Sequence, residues 1–509
     1  MRSAIIISGK PKNLLSNPIL WVVFLLYLII AGYTMIHHEI WGDEFHSWNI
    51  AKASGNFFDL ISNTRYEGHP PVWYIILWIT SKFTHDPTSI QFVHFALASL
   101  VVFVMLFFSP FPLAIKSLVP FGYFFLFEYA VLSRNYAIGI LLALCICIII
   151  NKNFKGQKLL YYILLFLLSN TSLFAMLLAV SFHIYFLLSL KEQKEKYGRL
   201  LIYLLLGIVI LIPSVYFIFP PGDSSIGTIY WLSRWNKQHL ASIVYSPIRA
   251  FAPIPIWFEY HFWDTNFFIG TASQKIIPKW LALSISLGLF LFSIFVLKNN
   301  KKSLLFFVSY LSLAFLIFLV IPFTNERHLG FIFIAFLAAL WFYNLHQPLN
   351  KIRTYLILVV LLGQVLGSAI AVSKDIKYPF SNASKVKELL GKIPHFDNVV
   401  TDYWCLNTLS AFSDKSFYCI ELQKETSYLL WNSELYSALT RPNRSSSGLI
   451  NFLNNKSITK VYMISIQSPQ NLHKGDTSLS NLFNIMLIDK KEGAIEKGGN
   501  VYLYEITSR

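Results

Sequence analysis

Long apolar stretches recur along the chain at 19–36, 89–108, 117–132, 136–150, 159–169, 172–190, 200–219, 280–297, 303–321, 329–345 and 354–372, parted by short polar connectors. A helix needs roughly 20 apolar residues to cross the hydrocarbon of a bilayer, so this pattern predicts about eleven spans. Pro18 suits the start of the first, where its missing N–H goes unneeded. No small-residue cleavage site follows that run, which predicts a retained anchor rather than a signal peptide. The stretch 72–83 (VWYIILWITSKF) is too short to span, and its Trp and Tyr content predicts a helix lying in the outer interface. The stretch 159–190 is too long for one span, so a hairpin turning at Asn170 and Thr171 is expected, with a shallow first leg that leaves room for a cavity.

Composition narrows the class. Only 13% of the residues are charged, while 55% are hydrophobic and 17% aromatic. Soluble domains carry roughly 25% charged residues, so a soluble enzyme, a disordered scaffold and a disulfide-stapled secreted domain are excluded. The net charge of +16 does not point to nucleic acid, because no aromatic–basic recognition motif accompanies it. The cations instead cluster in alternate connectors: Lys10 and Lys12; Lys116; Lys152, Lys155 and Lys158; Lys191, Lys194, Lys196 and Arg199; Lys298, Lys301 and Lys302; Lys351 and Arg353. By the positive-inside rule those loops and the N-terminus are cytoplasmic and the C-terminus is outside.

Beyond Val372 the charged residues become about twice as dense and alternating patterns predict strands, as at 398–401 and 460–464, with a helix at 385–390. The expected architecture is therefore a polytopic α-helical membrane domain over 1–372 and an extracytoplasmic α/β domain over 373–509. Cys145 and Cys147 lie in an apolar run and read as packing. In an oxidising compartment Cys405 and Cys419 could form a disulfide, buried free thiols being the alternative.

The chemistry concentrates in the outer loops. The first contains WGDEFHSW (41–48) and YEGHPPVWY (66–74), with Asp43 and Glu44 just past the first span. Neighbours on a helix point about 100° apart, so one acid can face a site while the other braces the loop. The same acids could simply favour a helix N-terminus. His69 precedes two prolines that favour extended geometry and the start of the interfacial helix, fixing an imidazole at the surface, or merely marking a turn. FEYAVLSRNYA (127–137) places Arg134 at an outer boundary and Glu128 inside a run, where an ionisable group normally faces a cavity or partner. TNERHLG (324–330) adds Arg327 and His328. The loop 220–278 carries Arg234, Arg249, Glu259 and Asp264 among aromatic residues that suit an interfacial belt. Carboxylates and cations on one membrane face suit a lipid-linked phosphate sugar: cations hold the phosphate and a carboxylate takes the acceptor's proton.

At these residues the sequence resembles the GT-C membrane glycosyltransferases, in particular the branch holding protein O-mannosyltransferases and lipid A aminoarabinose transferases. The resemblance rests on the acidic pair Asp43–Glu44, on His69-Pro70-Pro71, on Arg134 with Tyr136 and Ala137, and loosely on Arg327 or His328. It spans roughly 19–345 and implies an inverting transferase of the bacterial inner membrane. Such an enzyme moves a hexosyl or pentosyl group from a polyprenyl-phosphate donor to lipid A, another glycan or protein. By that resemblance Asp43 is the catalytic base or the acid that organises the donor site, and Glu44 supports it. His69, Arg134, Arg327 and His328 then bind phosphate, with Glu67, Glu128 and Tyr136 in support. The resemblance names no definite cofactor; a divalent metal could aid the leaving phosphate, with His37, His38, His46, Asp43 and Glu44 as candidate ligands. A flippase for lipid-linked sugars would call for inverted repeats and broken helices at mid-depth, which the sequence lacks. A polysaccharide polymerase or ligase fits the acidic first loop poorly.

Overall fold

The computed structural model describes residues 14–224, 235–271, 274–394, 396–476 and 478–509. Lys10, Lys12 and Arg234, named above for their charge, lie outside the described residues. Among the described residues eight helices are long and apolar enough to cross a membrane. They are α1 (Pro18–His37), α5 (Ser89–Phe108), α9 (Leu173–Glu192), α10 (Tyr197–Ile218), α13 (Lys279–Leu297), α14 (Lys301–Val320), α15 (Glu326–His346) and α16 (Lys351–Lys377). Asn and Ser side chains cap several of them by accepting an N–H that has no intrahelical partner, as Asn17 does for Ile19, Ser172 for Ala175 and Asn350 for Arg353. The remaining expected spans differ. Helices α7 (Tyr136–Ile149) and α8 (Gln157–Ser169) are apolar but short, and α8 meets α9 through the turn at Asn170 and Thr171.

The run 117–132 is not a helical span, which corrects the sequence expectation. It breaks into α6 (Leu113–Leu118), a 3₁₀ turn at Val119–Phe121 and a π turn at Phe124–Glu128. Hydropathy counts apolar side chains and is blind to Pro120, which has no N–H to continue a helix. Irregular backbone is tolerated at membrane depth when protein covers it. Here Phe124, Phe125, Leu126, Phe127 and Glu128 are all buried, and the Tyr27 hydroxyl of α1 donates to the Phe125 carbonyl at 3.2 Å.

Helix α15 is the most enclosed of the long helices, packed by α7, α9, α12 (Ser246–Phe251), α13 and α14. Helices α1, α10 and α13 keep broad apolar faces exposed, as a lipid boundary requires. The lysine-rich connectors meet one another at one end of the bundle, where Lys302 pairs with Glu192 at 2.7 Å and Lys158 with Glu195 at 3.3 Å. The opposite end carries the short helices α2 (Gly42–Ala53), α3 (Phe57–Thr64) and α4 (Val72–Ser81) of the first loop, and α11 (Lys237–Val244) with α12. The 72–83 stretch thus forms a ten-residue helix rather than a span, as expected.

Helix α16 continues to Lys377, past the end suggested by hydropathy, and the helix expected at 385–390 is α17 (Val386–Leu390). The C-terminal region then builds a six-stranded sheet in the order β3-β2-β1-β4-β6-β5. Its strands are β1 (Val399–Thr401), β2 (Phe417–Cys419), β3 (Lys424–Thr426), β4 (Lys460–Ser465), β5 (Phe483–Lys491) and β6 (Val501–Ser508). Strands β2, β1 and β4 are parallel; β3, β6 and β5 join antiparallel. Alternate residues of β1 face opposite cores: Val399 packs with Leu406 and Leu409 of α18 (Tyr403–Ser413), and Val400 with Leu449 and Phe452. The domain rests on the first loop. Asn49 of α2 donates to the Asn407 carbonyl of α18 at 2.7 Å, and the Ser381 hydroxyl donates to the Ile40 carbonyl at 2.6 Å. Cys405 and Cys419 are free and buried, the second of the two alternatives the sequence left open. The Cys419 thiol instead donates to the Glu421 carboxylate at 3.4 Å.

Candidate functional site

Residues that begin helix α2 fix the acids. The Trp41 N–H donates to Glu44 Oε2 at 2.9 Å, a reciprocal cap that turns the Glu44 side chain back into the protein. Glu44 Oε1 accepts the Ser133 N–H at 2.5 Å, and His38 Nε2 lies 3.8 Å from Oε2. Glu44 is fully buried with both oxygens engaged, so it braces the first loop against the Arg134 segment and does not face the cleft. Asp43, one position earlier and about 100° around the helix, turns outward and keeps 30% of its side chain exposed.

Two arginines converge on Asp43. Arg134 Nη1 lies 3.4 Å from Asp43 Oδ2 and also donates to the Asp43 carbonyl at 2.8 Å. Arg327 Nη2 lies 3.8 Å from the same Oδ2. Burial opposes ionisation of Asp43, but the charges of Arg134 and Arg327, with smaller contributions from His46 and His69, hold its carboxyl below the ordinary aspartate value. The Arg327 guanidinium sits 5.4 Å from the ring centres of both Trp41 and Trp263, flanked by two aromatic faces. Its Nε and Nη1 are buried without a hydrogen-bond partner among the described residues. An unpaired buried donor costs about 1–3 kcal/mol, so both atoms are available to the oxygens of an anion. His69 Nδ1 and His328 Nδ1 are likewise buried and unpartnered.

The surrounding residues hold this cluster in place. Glu67 takes the Tyr74 hydroxyl at 3.0 Å and faces His46 Nε2 at 2.9 Å. His46 is raised above the ordinary imidazole value: burial opposes the charge, and the Glu67 carboxylate beside it prevails. Burial first, and Arg134 among the neighbouring charges, push His69 down to about 3, so its imidazole is neutral. Tyr136 stands between the rings of Tyr129 and Phe331, and His328 stacks on Phe174 at 5.3 Å. Glu128 accepts the Tyr123 hydroxyl at 2.9 Å and the Trp263 indole N–H at 3.3 Å, so it positions the tryptophan under Arg327. Asp264 receives the Glu326 N–H at 3.1 Å and the Asn325 amide at 2.6 Å, and Arg249 pairs with Glu326 at 3.1 Å. The start of α15, and with it Arg327, is thereby anchored to the 252–267 loop. The sequence had pointed to an aromatic belt there; Trp263 and Asp264 belong instead to the site's support. Their signal in sequence was weak, since aromatic residues are expected at any interface.

The suggested metal ligands do not assemble. His38 faces Asp375 and Glu44, His46 faces Glu67, and His37 faces the Tyr33 carbonyl at 2.8 Å. Among the described residues no group of three or more His, Cys, Asp or Glu is placed to hold a metal ion.

No family model matches the sequence, and no curated protein matches it. Structure is more informative: the crystal structure of ArnT from Cupriavidus metallidurans bound to undecaprenyl phosphate aligns with a TM-score of 0.57. The match covers 96% of this chain and 98% of that one at 12% identity. The fold is ArnT-like. The likeness covers both the membrane helices and the C-terminal sheet domain, so the polytopic helical domain followed by an α/β domain, expected from the sequence, is the fold this chain adopts. At this identity the ArnT likeness speaks for the fold, and the function has to be argued from the residues of the cleft.

Proposed function

We propose that the protein is a glycosyltransferase that takes a sugar from a polyprenyl-phosphate-linked donor to an acceptor of the cell envelope. The observation that carries this reading is Asp43 bridged by Arg134 and Arg327, with Nε and Nη1 of Arg327 left free for an anion. In the ArnT crystal structure the bound molecule is undecaprenyl phosphate, which agrees with a lipid phosphate as ligand here. The lipid stays in the bilayer while its phosphate reaches the arginines, the planar guanidinium being suited to phosphate oxygens.

In this reading an acceptor hydroxyl oxygen bonds to the sugar's anomeric carbon from the face opposite the phosphate. The anomeric carbon–oxygen bond to phosphate breaks, its electron pair leaves on the polyprenyl phosphate, and the hydroxyl proton passes to the Asp43 carboxylate. Attack opposite the leaving group inverts the anomeric centre. Negative charge grows on the phosphate as the bond breaks, and Arg134 and Arg327 stand where a divalent ion would otherwise neutralise it. The imidazoles of His69 and His328, each with a buried and unpartnered Nδ1, can hydrogen-bond to phosphate oxygens. The protein is then a multi-pass protein of the bacterial inner membrane, with the lysine-rich ends cytoplasmic and the sheet domain periplasmic. The test is binding of undecaprenyl phosphate to the purified protein, followed by mass spectrometry of envelope glycolipids and glycoproteins from a deletion strain. Absence of lipid-phosphate binding, or an unchanged glycan profile, would sink the proposal.

A further inference from the structure

At the lysine-rich end of the bundle, the last turn of α9 and the first turn of α14 frame a cavity of about 420 Å³, lined by Leu188, Lys191, Glu192, Lys301, Lys302 and Leu305. Three of these residues are cations and one is an acid. Lys302 is neutralised: its ammonium lies 2.7 Å from Glu192 Oε2 and 5.5 Å from the centre of the Tyr185 ring. Lys191 and Lys301 are exposed, and neither makes an ion pair among the described residues. The cavity therefore carries two positive charges that nothing in the chain offsets. Its apolar residues are set in register with them. Leu188 precedes Lys191 by three positions on α9, and Leu305 follows Lys301 by four on α14. These spacings stack side chains on one face of a helix, about 5.4 Å apart along its axis. Because α9 ends and α14 begins at this end, both leucines lie about one turn deeper in the bundle than the two lysines.

We propose that this cavity binds an anionic phospholipid of the leaflet at that end of the bundle, its phosphate on Lys191 and Lys301 and the start of its chains on Leu188 and Leu305. The site lies at the opposite end of the bundle from Asp43 and stands independently of the glycosyl-transfer reading. Ligand cavities range over about 300–1,000 Å³, so this one is large enough for a glycerophosphate headgroup. A lysine ammonium is a compact point charge that attracts phosphate oxygens, and basic pockets between membrane helices are where anionic headgroups settle. Lysines in short loops also set topology, but that role asks only for charge somewhere in the loop. It does not ask two of them to face one cavity with a leucine one turn beneath each. That step from cationic rim to apolar floor is the profile of a phospholipid. A free phosphate would use the rim and leave the floor bare, and a zwitterionic headgroup brings an ammonium of its own to the lysines.

The test titrates the full-length protein in detergent micelles with phosphatidylglycerol, with phosphatidylcholine of the same chains and with glycerol phosphate, and reads the bound species by native mass spectrometry. Wild-type protein takes phosphatidylglycerol about tenfold more tightly than phosphatidylcholine, and glycerol phosphate more weakly than phosphatidylglycerol. Lys191→Gln with Lys301→Gln lowers the affinity for phosphatidylglycerol about fivefold per lysine, about 25-fold together. Lys152→Gln with Lys155→Gln removes the same charge from a connector that does not line the cavity, and leaves that affinity unchanged. Leu305→Ser keeps every charge and weakens phosphatidylglycerol without weakening glycerol phosphate. Lys302 is left in place so that its pair with Glu192 still joins the two helices, and thermal unfolding that matches wild type in lipid-free micelles establishes that the variants fold. Equal binding of the two lipids, an equal loss in the Lys152 and Lys155 variant, or unchanged affinity in the folded Lys191 and Lys301 variant overturns the site. Glycerol phosphate bound as tightly as phosphatidylglycerol, with no effect of Leu305→Ser, overturns it too, since the ligand is then a free phosphate.

Discussion

His38 Nδ1 lies 3.0 Å from Asp375 Oδ2, joining the C-terminal end of the first long helix to that of the last, with both side chains fully buried. His38 also approaches Glu44, so the pair sets the height of the loop that presents Asp43. Removing one partner of a buried ion pair strands the other, at a cost of about 3–5 kcal/mol. Asp375→Asn is therefore expected to lower the unfolding temperature in detergent clearly. It should also lower transfer activity, because Asp43 loses its brace. A melting curve superimposable on wild type would refute the structural role.

The two histidines of the loop respond to pH in opposite senses. His38 is raised to about 10: burial opposes its charge, but Asp375, and after it Glu44, outweigh burial. Ordinary imidazole titrates near 6.5, so this contribution to stability is complete below about 6.5 and is lost as pH rises through about 10. His69 is lowered to about 3 by burial and by Arg134. Its contribution is present above about 6.5 and is lost as pH falls from there through about 3. Thermal stability should therefore peak near about pH 6.5 and fall on both sides, with His69→Asn flattening the acid limb and Asp375→Asn the alkaline one. Limbs that keep their slopes in these variants would count against both assignments.

Asp43 and Arg327 separate the two halves of the proposed chemistry. Asp43→Asn keeps the side chain's size and removes the base, so turnover should fall by about 10²–10⁴ while undecaprenyl phosphate still binds. Arg327→Gln removes the charge that faces the phosphate. A hydrogen bond to a charged group is worth about 1.5–3 kcal/mol, so lipid-phosphate affinity should fall roughly ten- to a hundredfold. Calorimetric titration with undecaprenyl phosphate, beside a turnover assay, tells the two effects apart. An Asp43→Asn variant that turns over normally removes the acid from the mechanism.

Asp43, Arg134 and Arg327 were legible in sequence because isolated charges beside apolar runs have few structural uses, and all three meet in the fold. Adjacency alone cannot say which of Asp43 and Glu44 a helix start turns inward; the bond from the Trp41 N–H to Glu44 decides it. The run 117–132 was read as a span because its composition is right and only Pro120 and the local turns spoil it. The seating of the β5–β6 turn on residues 379–382 could not be found that way, because backbone bonds between segments so far apart leave no pattern in the sequence.

The free cysteines offer a check on the sheet domain. Cys405 lies on the buried face of α18, and Cys419 ends β2 with its thiol donating to Glu421. Burial pushes both thiols up, with Asp402 adding to the effect at Cys405 and Glu421 at Cys419, so neither is a reactive thiolate at neutral pH. Protein unfolded without reductant should take up a maleimide at all four of its cysteines, whereas a Cys405–Cys419 bridge would leave two. In the native state both should resist labelling until the domain opens, so their labelling rate reports the stability of the sheet separately from that of the helices. Because α18 packs on α2, a variant such as Asn49→Ala, which loses the 2.7 Å bond to the Asn407 carbonyl, should speed labelling of Cys405. Mass spectrometry after timed labelling reads this directly; an unaltered rate would mean that the first loop does not stabilise the domain resting on it.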